Sequence, residues 1–83
     1  MFYYTYMLKS LTNGVKKTYV GYTIDLEQRL KKHNSGKGAK STKGYKWQVI
    51  YSKKFKSKNS AMSYEYKLKK NKNLRKKIFE KSL

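Results

Sequence analysis

The sequence predicts an α/β protein of the α+β type: a three-stranded antiparallel sheet with helices packed on its faces, in the order ββαβαα. Three observations carry this. Two short runs rich in aromatic and β-branched residues flank an Asn13-Gly14 turn signal. A third such run, Trp47 to Phe55, follows a helical segment, and two segments with helical apolar spacing close the chain. No internal repeat or linker interrupts the pattern, so residues 1–83 form one domain.

Phe2 to Leu8 alternates Tyr4, Tyr6 and Leu8 on one face with Tyr3, Thr5 and Met7 on the other. A strand with both faces covered belongs at the centre of a sheet. Thr18 to Tyr22 resumes as its hairpin partner. If Asn13-Gly14 is a two-residue loop, Thr12 opposes Val15 and Tyr6 opposes Gly21, which leaves space beside the Tyr6 ring. Tyr19 then lies diagonally on the same sheet face.

Asp25 has the character of a helix N-cap, with Gln28 three residues on and Glu27 in the first turn. Leu26 and Leu30 give that helix its apolar stripe, to about Asn34. Ser35 to Gly44 holds three glycines and three lysines and is expected to be a flexible basic loop. In the third strand Val49, Tyr51 and Lys53 share a face. Ser57 or Asn59 caps a second helix through Lys70, and Asn71 or Asn73 opens a short third helix bearing Leu74, Ile78 and Phe79.

The chain carries 22 Lys plus Arg against 4 Asp plus Glu, a formal charge of +18. Such an excess repels itself, and phosphate backbones are the partners that reward it, through counterion release. An anionic membrane surface is the competing explanation, but it does not account for the aromatic strands. Disordered basic arms are poor in aromatics, whereas this chain is 16% aromatic and has no Pro. Its short length implies a modest core. Lack of cysteine excludes disulfides and thiolate metal sites. No signal peptide or long apolar run is evident, so the expectation is a soluble, cytoplasmic protein.

Glu65 stands out among the few acids. Ala61, Tyr64, Glu65 and Leu68 follow helical spacing, so this carboxylate points with the apolar stripe. A carboxylate there requires a partner, either a lysine or a cation. Arg29 and His33 are neighbours one helical turn apart, suited to gripping phosphate and relaying a proton, although a solvated helix face gives the same spacing. Tyr6 and Tyr19 are equally compatible with plain core packing. The Ser35 to Thr42 stretch is no P-loop, because a helix precedes it and the glycine before Lys-Ser is missing.

Together these elements resemble the GIY-YIG nuclease family, especially its small stand-alone members. Tyr4-Thr5-Tyr6 stands at the first signature, retaining only its last Tyr, and Tyr19-Val20-Gly21 stands at the second. The family's arginine falls eight residues beyond Gly21, at Arg29, its histidine at His33, and its metal-binding glutamate at Glu65. The asparagine of some larger members meets Lys77 and is not transferred. Gly38-Ala39-Lys40-Ser41-Thr42 also resembles a stretch of the stand-alone members.

The resemblance implies an endonuclease that hydrolyses phosphodiester bonds of DNA, branched or single-stranded, with Mg²⁺ or Mn²⁺ held by Glu65. Arg29 would neutralise transition-state charge, while Tyr6, or alternatively Tyr19, would act on the attacking water, with cationic surroundings lowering its pKa. His33 would take the tyrosine's proton or bind phosphate. Lys37, Lys40, Thr42, Lys43 and Lys69 would position the nucleic acid without reading sequence. RNA as substrate, a role in DNA repair, a protein partner supplying specificity, and a non-catalytic DNA- or RNA-binding module on the same fold are the alternatives this leaves open.

Overall fold

A computed structural model describes residues 1–12 and 14–83. The elements are β1 (Tyr3–Ser10), β2 (Thr18–Thr23), α1 (Leu26–Asn34), β3 (Trp47–Phe55), α2 (Lys58–Lys70) and α3 (Lys72–Lys81), which gives the expected order ββαβαα. The sheet order is β2-β1-β3 with both pairings antiparallel, and β1 is central. Asn13 lies outside the described residues. Around it the Val15 amide donates to the Thr12 carbonyl at 3.1 Å, and Tyr6 pairs with Gly21, the register that a two-residue loop requires.

The centrality of β1 follows from its two apolar faces. Met7 packs with Val20, Leu68 and Ile78 beneath α2 and α3, while Tyr6 and Leu8 pack with Trp47, Leu26 and Leu30 beneath α1. Thr5 through Leu8 are all buried. Each fully buried Leu or Met side chain contributes about 1.5–3 kcal/mol. Thr5 ties β1 to α2 more specifically, its hydroxyl donating to the Ala61 carbonyl at 2.8 Å.

The β3 alternation departs from expectation. Met7 pairs with Tyr51 but Leu8 pairs with Val49, so Ile50 is an extra residue in the ladder. A bulge of this kind resets which face successive side chains occupy. Val49 therefore joins the Tyr6 core, whereas Ile50 and Tyr51 both join the Met7 core. Val49 and Tyr51 do not share a face.

Local chemistry sets the helix ends. Asp25 Oδ1 accepts from the Gln28 amide at 3.0 Å, as a cap should. The Asp25 amide donates to Thr23 Oγ1 at 3.2 Å, so Thr23 serves the return half of the cap in place of the Gln28 side chain. Ser57, not Asn59, caps α2, and Asn71, not Asn73, caps α3 through its own Oδ1 and the Leu74 amide. No described helix is long and apolar enough to cross a membrane.

Candidate active site

Tyr6, Tyr19, Arg29 and His33 converge on the α1 face of the sheet. The Tyr6–Gly21 register brings the Tyr6 ring across β2, where Gly21 offers no side chain to obstruct it. Tyr19 follows diagonally, its ring centroid 6.3 Å from that of Tyr6 and 4.8 Å from that of His33. The cap at Asp25 fixes the phase of α1, so Arg29 and His33, one turn apart, both face these rings.

A line of hydrogen bonds joins them. Arg29 Nε donates to the Tyr6 hydroxyl at 3.4 Å, a long contact. Tyr6 Oη lies 2.9 Å from His33 Nε2, and His33 Nδ1 lies 2.9 Å from Thr42 Oγ1. Thr42 in turn donates to the Ala39 carbonyl at 2.8 Å. His33 and Thr42 are completely buried and Tyr6 is 1% exposed. A solvated helix face at His33 is thereby excluded.

Burial governs the protonation of these groups. Desolvation pushes the Tyr6 hydroxyl above the ordinary tyrosine pKa, against the hydrogen bond from Arg29, which lowers it. Among the protein's own groups, withdrawal from water outweighs the one adjacent cation, so the surrounding lysines do not supply the expected lowering. The same desolvation, with the Arg29 charge, pushes His33 down, so its imidazole is neutral near pH 7. Arg29 is held more firmly charged, chiefly by its bond to Tyr6.

Glu65 lies on α2, which packs on the other face of the sheet, near enough for its charge to be felt at Tyr6. Its negative charge is among the influences that raise the Tyr6 pKa. The carboxylate is 20% exposed, with Oε2 3.6 Å from Lys69 Nζ, the one ion pair among the described residues. Among those residues no group of three potential His, Cys, Asp or Glu ligands gathers. Glu65 thus offers hard oxygen donors without a protein cage, which suits a cation that keeps most of its water, as Mg²⁺ does.

The Ser35 to Gly44 segment is not the free basic loop expected. Its lysines Lys37, Lys40 and Lys43 are exposed, but Lys40–Thr42 forms a 3₁₀ turn that carries Thr42 inward. Thr42 is therefore removed from the phosphate-gripping surface: its hydroxyl is committed to His33 and Ala39, and its carbonyl accepts from Trp47 Nε1 at 2.9 Å. Gly38, to which the sequence assigns no role of its own, lies on the His33 ring; a Cβ there would fall 2.5 Å from Nδ1. Asn34 was also passed over. Its side chain accepts from the Trp47 amide at 2.6 Å and donates to the Trp47 carbonyl at 3.3 Å, joining the two ends of the loop.

A family model described as the GIY-YIG catalytic domain matches residues 2–78. The chain belongs to the GIY-YIG family. That family is a nuclease superfamily, so nucleic acid is the substrate class. This GIY-YIG chain is 44% identical to UPF0213 protein OB0043 of Oceanobacillus iheyensis, across 81% of its own length and 76% of the relative's. It is 49% identical to UPF0213 protein YsiG of Lactococcus lactis, across 77% of itself and 60% of the relative. The solution NMR structure of the UPF0213 protein BH0048 from Bacillus halodurans has the same fold. It superposes with a TM-score of 0.55 at 35% identity, over 96% of this chain and 84% of that one.

Proposed function

We propose that this GIY-YIG chain is a metal-dependent endonuclease that hydrolyses phosphodiester bonds of DNA, branched or single-stranded. The observation that carries this is the Tyr6 hydroxyl, held between Arg29 Nε at 3.4 Å and His33 Nε2 at 2.9 Å. A buried tyrosine in simple core packing has no need of both a guanidinium and an imidazole acceptor.

The raised pKa of Tyr6 keeps its hydroxyl protonated at neutral pH. It therefore acts as a relay: its oxygen accepts a proton from the attacking water while its own hydrogen passes to His33 Nε2. His33 is suited to receive it because burial keeps the imidazole neutral. Arg29, beside the same hydroxyl, offsets negative charge that develops on the phosphoryl oxygens. Tyr19 lines the His33 ring and, unlike Tyr6, is only partly buried, which suits it to face the substrate. Glu65 would hold Mg²⁺ or Mn²⁺, which when bound there stabilises charge on the leaving 3′ oxygen. Lys37, Lys40 and Lys43, exposed on the loop, and Lys69 on α2 would contact the phosphate backbone.

The test is nicking of labelled branched, flap and single-stranded DNA, and of RNA, with Mg²⁺ or Mn²⁺. Wild type should cut DNA, while Glu65→Ala should abolish cutting and retain salt-sensitive binding. Wild type that binds but cuts none of these would make the chain a binding module. Equal cutting by Glu65→Ala would remove the metal role from Glu65.

A further inference from the structure

We infer that Thr42 is a positioning residue that fixes the tautomer of His33, so that Nε2 presents a lone pair to the Tyr6 hydroxyl. Its catalytic meaning rests on the relay proposed above; the tautomer itself does not.

The direction of each hydrogen bond can be worked out from both ends of the line. Thr42 Oγ1 lies 2.8 Å from the Ala39 carbonyl oxygen, which can only accept. The Thr42 hydrogen must lie on that vector, since otherwise two lone-pair-bearing oxygens would face each other at that distance. Thr42 Oγ1 then meets His33 Nδ1, at 2.9 Å, with a lone pair. Nδ1 therefore carries the imidazole hydrogen. A neutral imidazole has one such hydrogen, so Nε2 is bare.

The Tyr6 end gives the same answer. Its oxygen accepts from Arg29 Nε, and it is 1% exposed, so its own hydrogen needs an acceptor inside the protein. Among the described residues His33 Nε2, at 2.9 Å, is the one acceptor bonded to it. A hydrogen on Nε2 would leave the Tyr6 hydrogen without a partner.

The loop holds this arrangement in place. The Thr42 amide donates to the Ala39 carbonyl at 3.1 Å, and the Thr42 carbonyl receives Trp47 Nε1 at 2.9 Å. Gly38 also lies against the imidazole, where a Cβ would come 3.0 Å from Cε1 as well as 2.5 Å from Nδ1. Valine would fill the Thr42 site equally well but would leave an Nδ1 hydrogen facing a methyl group. The Tyr6 hydroxyl alone would then hold the tautomer, so the Nε2-protonated ring, which cannot take the tyrosine's proton, would gain population.

His33 is the only histidine in the chain, so its ring nitrogens can be observed without ambiguity. Long-range ¹H–¹⁵N spectra of the full chain at pH 8 identify the protonated nitrogen. Wild type and Thr42→Ser should carry it on Nδ1 alone, and Thr42→Val should show a mixture with the Nε2 form, with backbone amide dispersion preserved. In the nicking assay Thr42→Val should lower kcat by about 10–100-fold, the scale of partners one step removed from the chemistry, with KM near wild type. Thr42→Ser should restore most of it. Nε2 protonation in wild type overturns the inference whether or not any variant folds. Thr42→Val with the Nδ1 tautomer alone, or that cuts as fast as wild type, also overturns it. Wild type with the Nδ1 hydrogen that cuts no nucleic acid supports the positioning of His33 by Thr42 and overturns the endonuclease proposal instead.

Discussion

The Tyr6 hydroxyl rests against the backbone of Gly21, its partner across β1 and β2: a Cβ on Gly21 would fall 2.7 Å from Tyr6 Oη and 2.9 Å from Cζ. Backbone on one side and His33 on the other leave the tyrosine nowhere to retreat. Gly21→Ala should destabilise the fold by about 1–3 kcal/mol through overpacking. It should also displace the hydroxyl from His33 and cost activity about 100-fold. Urea unfolding and the nicking assay measure the two effects. An active Gly21→Ala protein would show that the hydroxyl's placement is not critical.

That contact was legible in the sequence, because the Asn13-Gly14 turn signal, read as a two-residue loop, gives the Tyr6–Gly21 pairing. The caps at Asp25 and Asn71 and the central position of β1 were legible for similar reasons: each depends on local chemistry or a strict period of two. Glu65 was found because helical spacing put a carboxylate on an apolar stripe. The bulge at Ile50 was hidden, since Val-Ile-Tyr has no turn residue to mark it. The burial of His33 was hidden for a different reason. Helical spacing says which side chains are neighbours on α1, but not that a lysine-rich loop folds back over them. Thr42 looked like a surface residue among lysines until the 3₁₀ turn was seen to invert it.

The buried pair should give stability a limit at each end of the pH scale. The His33 pKa is lowered from 6.5 in the folded state, so below about pH 6.5 the unfolded chain binds more protons there, and stability falls until the folded group titrates. Tyr6 is raised from 10.0, and Tyr51, bonded to Tyr64, is pushed up to about 12. Above about pH 10 the unfolded chain releases these protons first, and stability falls again. Urea midpoints measured from pH 4.5 to 11 should trace this dome. His33→Gln should flatten the component of the acid limb centred below pH 6.5, and an unchanged acid limb would contradict the burial of a neutral imidazole.

Lys69 sits 3.6 Å from Glu65, with its own side chain 54% exposed. An exposed one-turn pair is weak, so Lys69→Met should change unfolding free energy by less than about 0.5 kcal/mol. Its effect on the site should be larger. Removal of the competing cation should lower the Mg²⁺ concentration needed for half-maximal cutting. If Lys69 also contacts phosphate, the slope of log affinity against log salt should decrease by about 1. Metal titrations of cutting and salt titrations of binding separate these roles. An unmoved metal requirement would show that Lys69 does not compete at Glu65.

Asn34 and Trp47 bound the loop that carries Gly38 and Thr42, and the Asn34 side chain pairs with both the amide and the carbonyl of Trp47. Trp47 is 3% exposed, so Asn34→Ala would strand its buried amide hydrogen and cost about 1–3 kcal/mol. Asn34→Asp keeps the acceptor for the Trp47 amide but sets a carboxylate oxygen against the Trp47 carbonyl where the 3.3 Å donation stood, so it should recover only part of that cost. The same ranking should appear at the site, since loosening these ends frees Thr42 to turn away from His33. In ¹H–¹⁵N spectra Asn34→Ala should therefore show a mixture of His33 tautomers, with Asn34→Asp between it and wild type. A single Nδ1-protonated tautomer in Asn34→Ala would mean that the 3₁₀ turn and Trp47 Nε1 hold Thr42 in place without the clamp.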